Sequence, residues 1–80
     1  TGLIRILLYP NPAKNMVYFN VDASLGEGNV VLTDMQGKEL SKARFRVGLN
    51  SINVGKYASG MYLVRFKTKK GMQTEKLLID

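Results

Sequence analysis

Six carboxylates are the side chains of this chain with the most potential for acid-base or metal chemistry: Asp22, Glu27, Asp34, Glu39, Glu75 and Asp80. They are scattered over predicted turns and strand ends. No two share a sequence context that suggests one apolar pocket, the setting that raises the pKa of a catalytic carboxyl group. Asp22 and Glu27 flank a glycine-rich loop and can in principle bind calcium, but two carboxylates without a ligand repeat make a weak site. We therefore predict no catalytic residues and no metal site.

Histidine and cysteine are both absent from the chain. Their absence excludes zinc sites built from thiolate or imidazole, cysteine nucleophiles, triads with a histidine base, and disulfides. The longest apolar run, residues 3–9, is interrupted by Arg5 and is much shorter than the roughly 20 residues that a membrane-spanning helix needs. We predict a protein that is not an enzyme, binds no cofactor and has no membrane-spanning segment.

The charge balance is the remaining chemical signal, with 12 Lys and Arg against 6 Asp and Glu and a net charge of +6. Such a charge favours anionic partners through an attraction that salt weakens. Five cations would form one patch if the fold brings them together: Arg44, Arg46, Lys67, Lys69 and Lys70. Residues 60–66 lack the basic and aromatic spacing of an RNA-binding sheet, so we predict no nucleic acid. The patch is interpreted as a solvated positive face, or as a surface for an anionic partner.

Short runs of β-favouring residues, separated by Gly, Pro, Asn and Asp, position these side chains. They predict seven strands: residues 3–9, 16–21, 30–33, 39–47 and 49–54, a sixth strand that holds Tyr62, Val64 and Phe66, and residues 72–79. No helical period lasts for three turns. The pattern predicts an all-β antiparallel sandwich of about seven strands that forms one domain over residues 1–80.

Alternation and turn residues add detail to this sandwich. The side chains expected to face the core are Val17, Phe19 and Val21 in the second strand, and Ala43, Phe45 and Val47 in the fourth. Residues 30–33 are apolar on both faces and predict a central strand. Pro10 and Pro12 predict a rigid corner, Asp34 and Gly37 a hairpin turn with positive φ at the glycine, and Gly60 a sharp bend. Tyr62 is expected to be a buried aromatic whose hydroxyl bonds to a loop carbonyl.

Four short motifs occur in a particular order along the chain. They are YPNPAKN at residues 9–15, DMQGK at 34–38, GMYLV at 60–64 and KLLI at 76–79. In this order and with these gaps, the chain resembles the C-terminal sorting domain (type A) of type IX secretion cargo over nearly its whole length. The resemblance implies an immunoglobulin-like sandwich of seven strands, attached to proteins that bacteria of the Bacteroidetes group export across the outer membrane.

The resemblance also implies partners and a location. The implied partners are the outer-membrane machinery of type IX secretion and a cell-surface sortase that usually removes the domain, often linking the cargo to anionic lipopolysaccharide. The implied location is the periplasm in transit, and then the outer-membrane surface or the medium. Most motif residues are expected to be mainly structural: Tyr9, Pro10, Asn11, Pro12, Asp34, Gly37, Gly60 and Tyr62. The family usually ends in a basic residue, whereas this chain ends in Asp80.

The last five residues, Lys76, Leu77, Leu78, Ile79 and Asp80, are the predicted recognition site. An edge strand with unpaired backbone groups can add to the sheet of a partner, or to a second copy of itself. We therefore predict that the secretion machinery or the sortase reads this strand, and that self-association through it is possible.

Other roles stay open at this point. The alternatives are a non-catalytic immunoglobulin-like spacer, a carbohydrate-binding module, or a sorting-type domain retained on a surface or machinery protein. Carbohydrate binding usually needs exposed aromatic platforms, and only Tyr9, Tyr18 and Tyr57 are candidates. The chain has no initiator methionine, so we expect an excised piece of a longer exported protein.

Overall fold

The computed structural model describes residues 6–80, and in that part of the chain every regular element is a β-strand. The strands are β1 Leu8–Tyr9, β2 Met16–Val21, β3 Gly28–Thr33, β4 Glu39–Phe45, β5 Gly48–Asn53, β6 Gly60–Thr68 and β7 Gly71–Ile79. The all-β prediction is confirmed. Residues 3–5 of the first predicted strand lie outside the described residues. Within residues 6–80, no helix is long and apolar enough to cross a membrane.

The strands form two antiparallel sheets that pack as a sandwich, consistent with an immunoglobulin-like fold. The smaller sheet has the order β1-β2-β5, and the larger has the order β4-β3-β6-β7. The prediction of a central third strand is confirmed, because β3 pairs with β4 on one side and with β6 on the other. The terminal strand β7 pairs with β6 and lies at the edge of the larger sheet.

Three phenylalanines hold the sheets together. Phe19 comes from β2 of the smaller sheet, and Phe45 and Phe66 come from β4 and β6 of the larger. All three are buried and meet edge to face, with ring centroids 5.0 to 6.1 Å apart. Each such aromatic pair stabilises the folded state by about 0.5–1.5 kcal/mol, in addition to the contribution from the apolar area that it buries. The predicted core positions of the second strand are confirmed, since Val17 and Val21 are buried with Phe19.

The core-facing set predicted for the fourth strand is wrong except at Phe45. Strand β4 ends at Phe45, and Val47 lies beyond it with 47% of its surface exposed. Ala43 lies opposite the buried Val30, yet it is exposed. The reason is that β4 is the outermost strand of a four-stranded sheet that faces only three strands, so its edge is incompletely covered.

Candidate recognition site

The predicted recognition residues divide between the core and the surface. Leu77 and Ile79 are buried, at 0% and 1% exposure, and pack in the core between the sheets. Lys76, Leu78 and Asp80 are exposed. Successive side chains of a strand point to opposite faces of the sheet. Only the even-numbered side chains of this segment can therefore meet a partner while the domain stays folded.

The proline corner between β1 and β2 lies along the outer edge of β7. The amide of Asn11 donates from Nδ2 to the carbonyl of Lys76 at 3.0 Å, and its Oδ1 accepts from the backbone N–H of Leu78 at 3.0 Å. Ala13, which is fully buried, donates its N–H to the carbonyl of Leu78 at 2.8 Å and accepts from the N–H of Asp80 at 2.8 Å. We call residues 9–13 the corner. Through the side chain of Asn11 and an isolated parallel β-bridge between Ala13 and Ile79, the corner covers the open side of β7 near its end.

Gln73 makes a matching pair of contacts nearer the start of β7. Its side-chain Oε1 accepts from the N–H of Ile6 at 2.8 Å, and its Nε2 donates to the carbonyl of Ile6 at 2.8 Å. Nε2 also donates to the carboxylate of Glu75 at 2.7 Å. Residues 6–13 are thus tied to β7 at both ends, although the two segments are more than 60 residues apart in the chain.

These contacts correct one expectation for the terminal strand. Its position at the sheet edge is confirmed, but the expectation of unpaired backbone groups is wrong for the last residues. Four hydrogen bonds to the corner occupy the outward-facing backbone groups at Lys76 O, Leu78 N, Leu78 O and Asp80 N. A partner strand can add to this part of the edge only by displacing the corner.

Sequence reasoning missed Ala13 and Gln73, and gave Asn11 only a local role. The motif placed Asn11 between two prolines, which indicates a turn and says nothing about a distant strand. Both peptide bonds that precede these prolines, at Tyr9–Pro10 and Asn11–Pro12, are cis. No local signal links an asparagine to backbone groups 65 and 67 residues further along the chain.

The DMQGK motif forms the predicted hairpin turn between β3 and β4. Oδ1 of Asp34 accepts from the N–H of Gln36 and from the N–H of Lys38, each at 2.9 Å. Gly37 donates its N–H to the carbonyl of Asp34 and has a φ of 90°, as predicted. A residue with a Cβ is strained at this φ. Both motif residues therefore act as turn formers.

The GMYLV motif begins β6. Gly60 has a φ of 152°, and the hydroxyl of Tyr62 donates to the carbonyl of Ala58 at 2.6 Å, which confirms the predicted bond to a loop carbonyl. Tyr62 is half-buried rather than buried, and it packs on Tyr57 with ring centroids 6.1 Å apart. The motif fixes the loop that leads into β6.

The other tyrosines considered for a surface platform are Tyr9 and Tyr18. They lie opposite each other on β1 and β2, with ring centroids 6.1 Å apart and planes tilted by 32°. Tyr9 is 46% exposed, and Tyr18 is half-buried. The two rings contact each other and are not coplanar, so the pair does not offer one continuous flat face.

Most of the basic residues expected to form a patch are brought together. Arg44, Arg46 and Lys69 line a cleft of about 660 Å³ at one end of the sandwich. Lys67 and Lys69 line a smaller adjoining cleft of about 330 Å³. Lys70 lies beside Lys69 in the turn between β6 and β7 and is exposed, but it lines neither cleft.

The two carboxylates considered for calcium have other partners. Asp22 accepts hydrogen bonds from the hydroxyl and the backbone N–H of Ser24, and these bonds lower the pKa of Asp22 from 3.8. Glu27 pairs with Arg44 at 2.6 Å. In residues 6–80, no group of three or more acidic side chains is placed to hold a metal ion.

Comparison with known proteins assigns the chain as a whole. A protein-family model described as "Secretion system C-terminal sorting domain" matches residues 7–80. The match includes the corner, the DMQGK and GMYLV motifs and the terminal strand. No curated protein matches the chain.

Proposed function

This chain belongs to the family of secretion system C-terminal sorting domains, and on that premise we propose that it carries an attached cargo protein across the outer membrane. The family supports a sorting signal of type IX secretion, an interaction with that machinery, and export toward the cell surface or the medium. It is not a catalytic family. The observation that carries the proposal is the match over residues 7–80, which spans the whole folded unit and not only its last strand.

We propose that the machinery reads side chains at the end of β7 rather than its backbone edge. Lys76, Leu78 and Asp80 are exposed, whereas the outward backbone groups beside them already bond to the corner. Met61, which is 41% exposed, lies opposite Leu78 on β6 and widens the apolar part of this surface. Strand addition would first have to break four hydrogen bonds, whereas side-chain contacts leave the folded domain intact.

We propose that the steps after export follow the pattern implied by the family. A sortase at the cell surface would remove the domain and link the cargo to anionic lipopolysaccharide. Before that step the domain and its cargo would cross the periplasm, and the cargo would end at the outer-membrane surface or in the medium. A domain that stays attached to a surface or machinery protein is the alternative outcome, and mass spectrometry of the exported cargo distinguishes them.

The experiment fuses residues 1–80, with their native upstream linker, behind a periplasmic reporter in a host with a type IX system. We expect the reporter outside the cell, and its retention in the periplasm would refute the proposal. The surface is tested with Lys76→Gln combined with Asp80→Asn, which leaves Leu77 and Ile79 in the core. We expect an unchanged melting temperature and impaired export.

The matched control is Lys38→Gln combined with Glu39→Gln. It removes the same charges, one of each sign, in the β3–β4 hairpin, where both residues are exposed. Export of this control should be normal. Normal export of the Lys76 and Asp80 variant would refute the role of the terminal side chains without refuting the sorting function, which the unmodified fusion tests separately.

A further inference from the structure

Four cations stand in two rows on the outer face of the larger sheet. Two belong to β4 and two to β6, and they pair across β3 as Lys42 with Arg65 and Arg44 with Lys67. Val31 is the β3 residue between the first pair, and Asn29 is the one between the second. Neighbouring strands are about 4.8 Å apart and residues i and i+2 of a strand about 7 Å apart. The four side chains therefore start from a grid of about 10 by 7 Å.

Further basic side chains lie at one end of the sandwich, next to these four. Arg46 and Lys69 line the cleft of about 660 Å³ together with Arg44. We call the six residues the basic face: Lys42, Arg44, Arg46, Arg65, Lys67 and Lys69. All six are exposed. The strands hold four of them in fixed register, so the face is a rigid array and not a flexible tail.

The basic face is poorly neutralised by the protein itself. Within residues 6–80 the one salt bridge joins Arg44 to Glu27 at 2.6 Å, and both side chains are largely exposed. In that part of the chain, the other five cations have no carboxylate at ion-pair distance. An uncompensated array of this kind attracts a partner with many negative charges.

The shape and the neighbours of the basic face favour a lipid surface as that partner. The face is a broad sheet surface, and the rim beside it carries exposed apolar side chains, with Met61 at 41%, Met72 at 56% and Leu78 at 38%. Met72 lies directly opposite Lys67. Lipid headgroups are laterally mobile and adapt to a fixed grid of cations, while the apolar rim can enter the interface.

An acidic glycan fits less well. Glycan recognition commonly uses aromatic platforms, and the outward positions of β3, β4, β6 and β7 carry none. Of the aromatic residues of these strands, Phe45 and Phe66 are buried in the core, and Tyr62 lies opposite the buried Leu77. An anionic lipid surface therefore fits the basic face better than an acidic glycan does.

We propose that the basic face binds reversibly to a lipid surface rich in anionic headgroups. This goes beyond the sorting function, because recognition by protein machinery does not require contact with lipid. Each Lys or Arg held near an anionic membrane strengthens binding about fivefold. The attraction falls off within the Debye length, which is about 8 Å at physiological salt, so only cations on the face that meets the membrane contribute fully.

The experiment measures co-sedimentation of the 80-residue chain with vesicles of equal parts phosphatidylglycerol and phosphatidylcholine. We expect binding at about 0.15 M salt that weakens as salt rises, and little binding to vesicles of phosphatidylcholine alone. The test variant is Lys42→Gln, Arg65→Gln and Lys67→Gln together. Removing three charges from the basic face should lower the partition coefficient about 100-fold.

The matched control removes three cations elsewhere, with Lys14→Gln, Lys38→Gln and Lys56→Gln in the loops before β2, β4 and β6. Each triple variant takes the net charge from +6 to +3, so a mere net-charge effect would weaken both equally. Equal losses would overturn the proposal. So would absence of binding to the anionic vesicles, or binding to soluble heparin without binding to vesicles. If the test variant does not fold, Lys42→Gln with Arg65→Gln should still lose about 25-fold.

Discussion

Replacing Asn11 by alanine tests whether the corner holds the terminal strand. The substitution removes one donor and one acceptor, which bond to Lys76 O and Leu78 N at 3.0 Å each. A hydrogen bond contributes about 0.5–1.5 kcal/mol net. Both bonds are exposed, so water can bond to the backbone groups that lose their partner. We therefore expect a decrease of about 1–2 kcal/mol in the free energy of unfolding. For a domain of this size, that lowers the melting temperature by roughly 5–15 °C.

Hydrogen exchange locates the effect of the same substitution. In the wild type the amide of Leu78 bonds to the Asn11 side chain and that of Asp80 to the carbonyl of Ala13. We expect the Leu78 amide to lose protection first and Asp80 to follow, because Ala13 then supplies the remaining hydrogen bonds between the corner and the end of β7. The control is Gln36→Ala, which truncates an exposed amide side chain in the β3–β4 turn. Unchanged protection of Leu78 together with an unchanged melting temperature would refute a structural role for the corner.

Three further predictions concern the turn, the core and an acidic group. Gly37→Val should lower the free energy of unfolding, measured in urea, by about 1–2 kcal/mol, because a β-branched residue is strained at a φ of 90°. Gly37→Asn should lower it clearly less. Equal decreases for the two variants would contradict this reason. Phe66→Ala should cost about 3–5 kcal/mol, measured by the same method, whereas a loss below about 1 kcal/mol would show that the phenylalanine cluster does not unite the sheets. Ser24→Ala should raise the pKa of Asp22 in an NMR titration, since hydrogen bonds from Ser24 lower it; the stabilisation from these bonds is present above the unfolded pKa and is lost as pH falls through the folded pKa.

Local patterns were sufficient for most of the strands and turns. The period of two in residues 16–21 correctly identified Phe19 and its neighbours as core, because burial on one face requires alternation. Asp34 and Gly37 predicted their turn because few residues accept its backbone geometry. Ala43 departs from what its local pattern predicts. Its position in the alternation is correct, but it is exposed because β4 happens to be an edge strand.

The candidate site was located less completely. The sequence pointed to Lys76 through Asp80, and the family match includes these residues. It did not show that Asn11 and Ala13 bond to the backbone groups expected to be open, or that Gln73 holds Ile6. Partners that lie more than 60 residues apart leave no trace in a local pattern.

The sequence by itself determined the fold class, the turns, the core-facing residues of β2 and the family. The fold class, the turns and the core-facing residues follow from backbone geometry and hydrophobic alternation, which act between residues that are neighbours in the chain, whereas the family is recognised from four short motifs in a fixed order. Only the tertiary structure decided that the corner covers the end of β7, and that cations of β4 and β6 stand in register across β3. The physical reason is that strand order fixes which edges and faces are exposed, and strand order is set by pairing between distant segments.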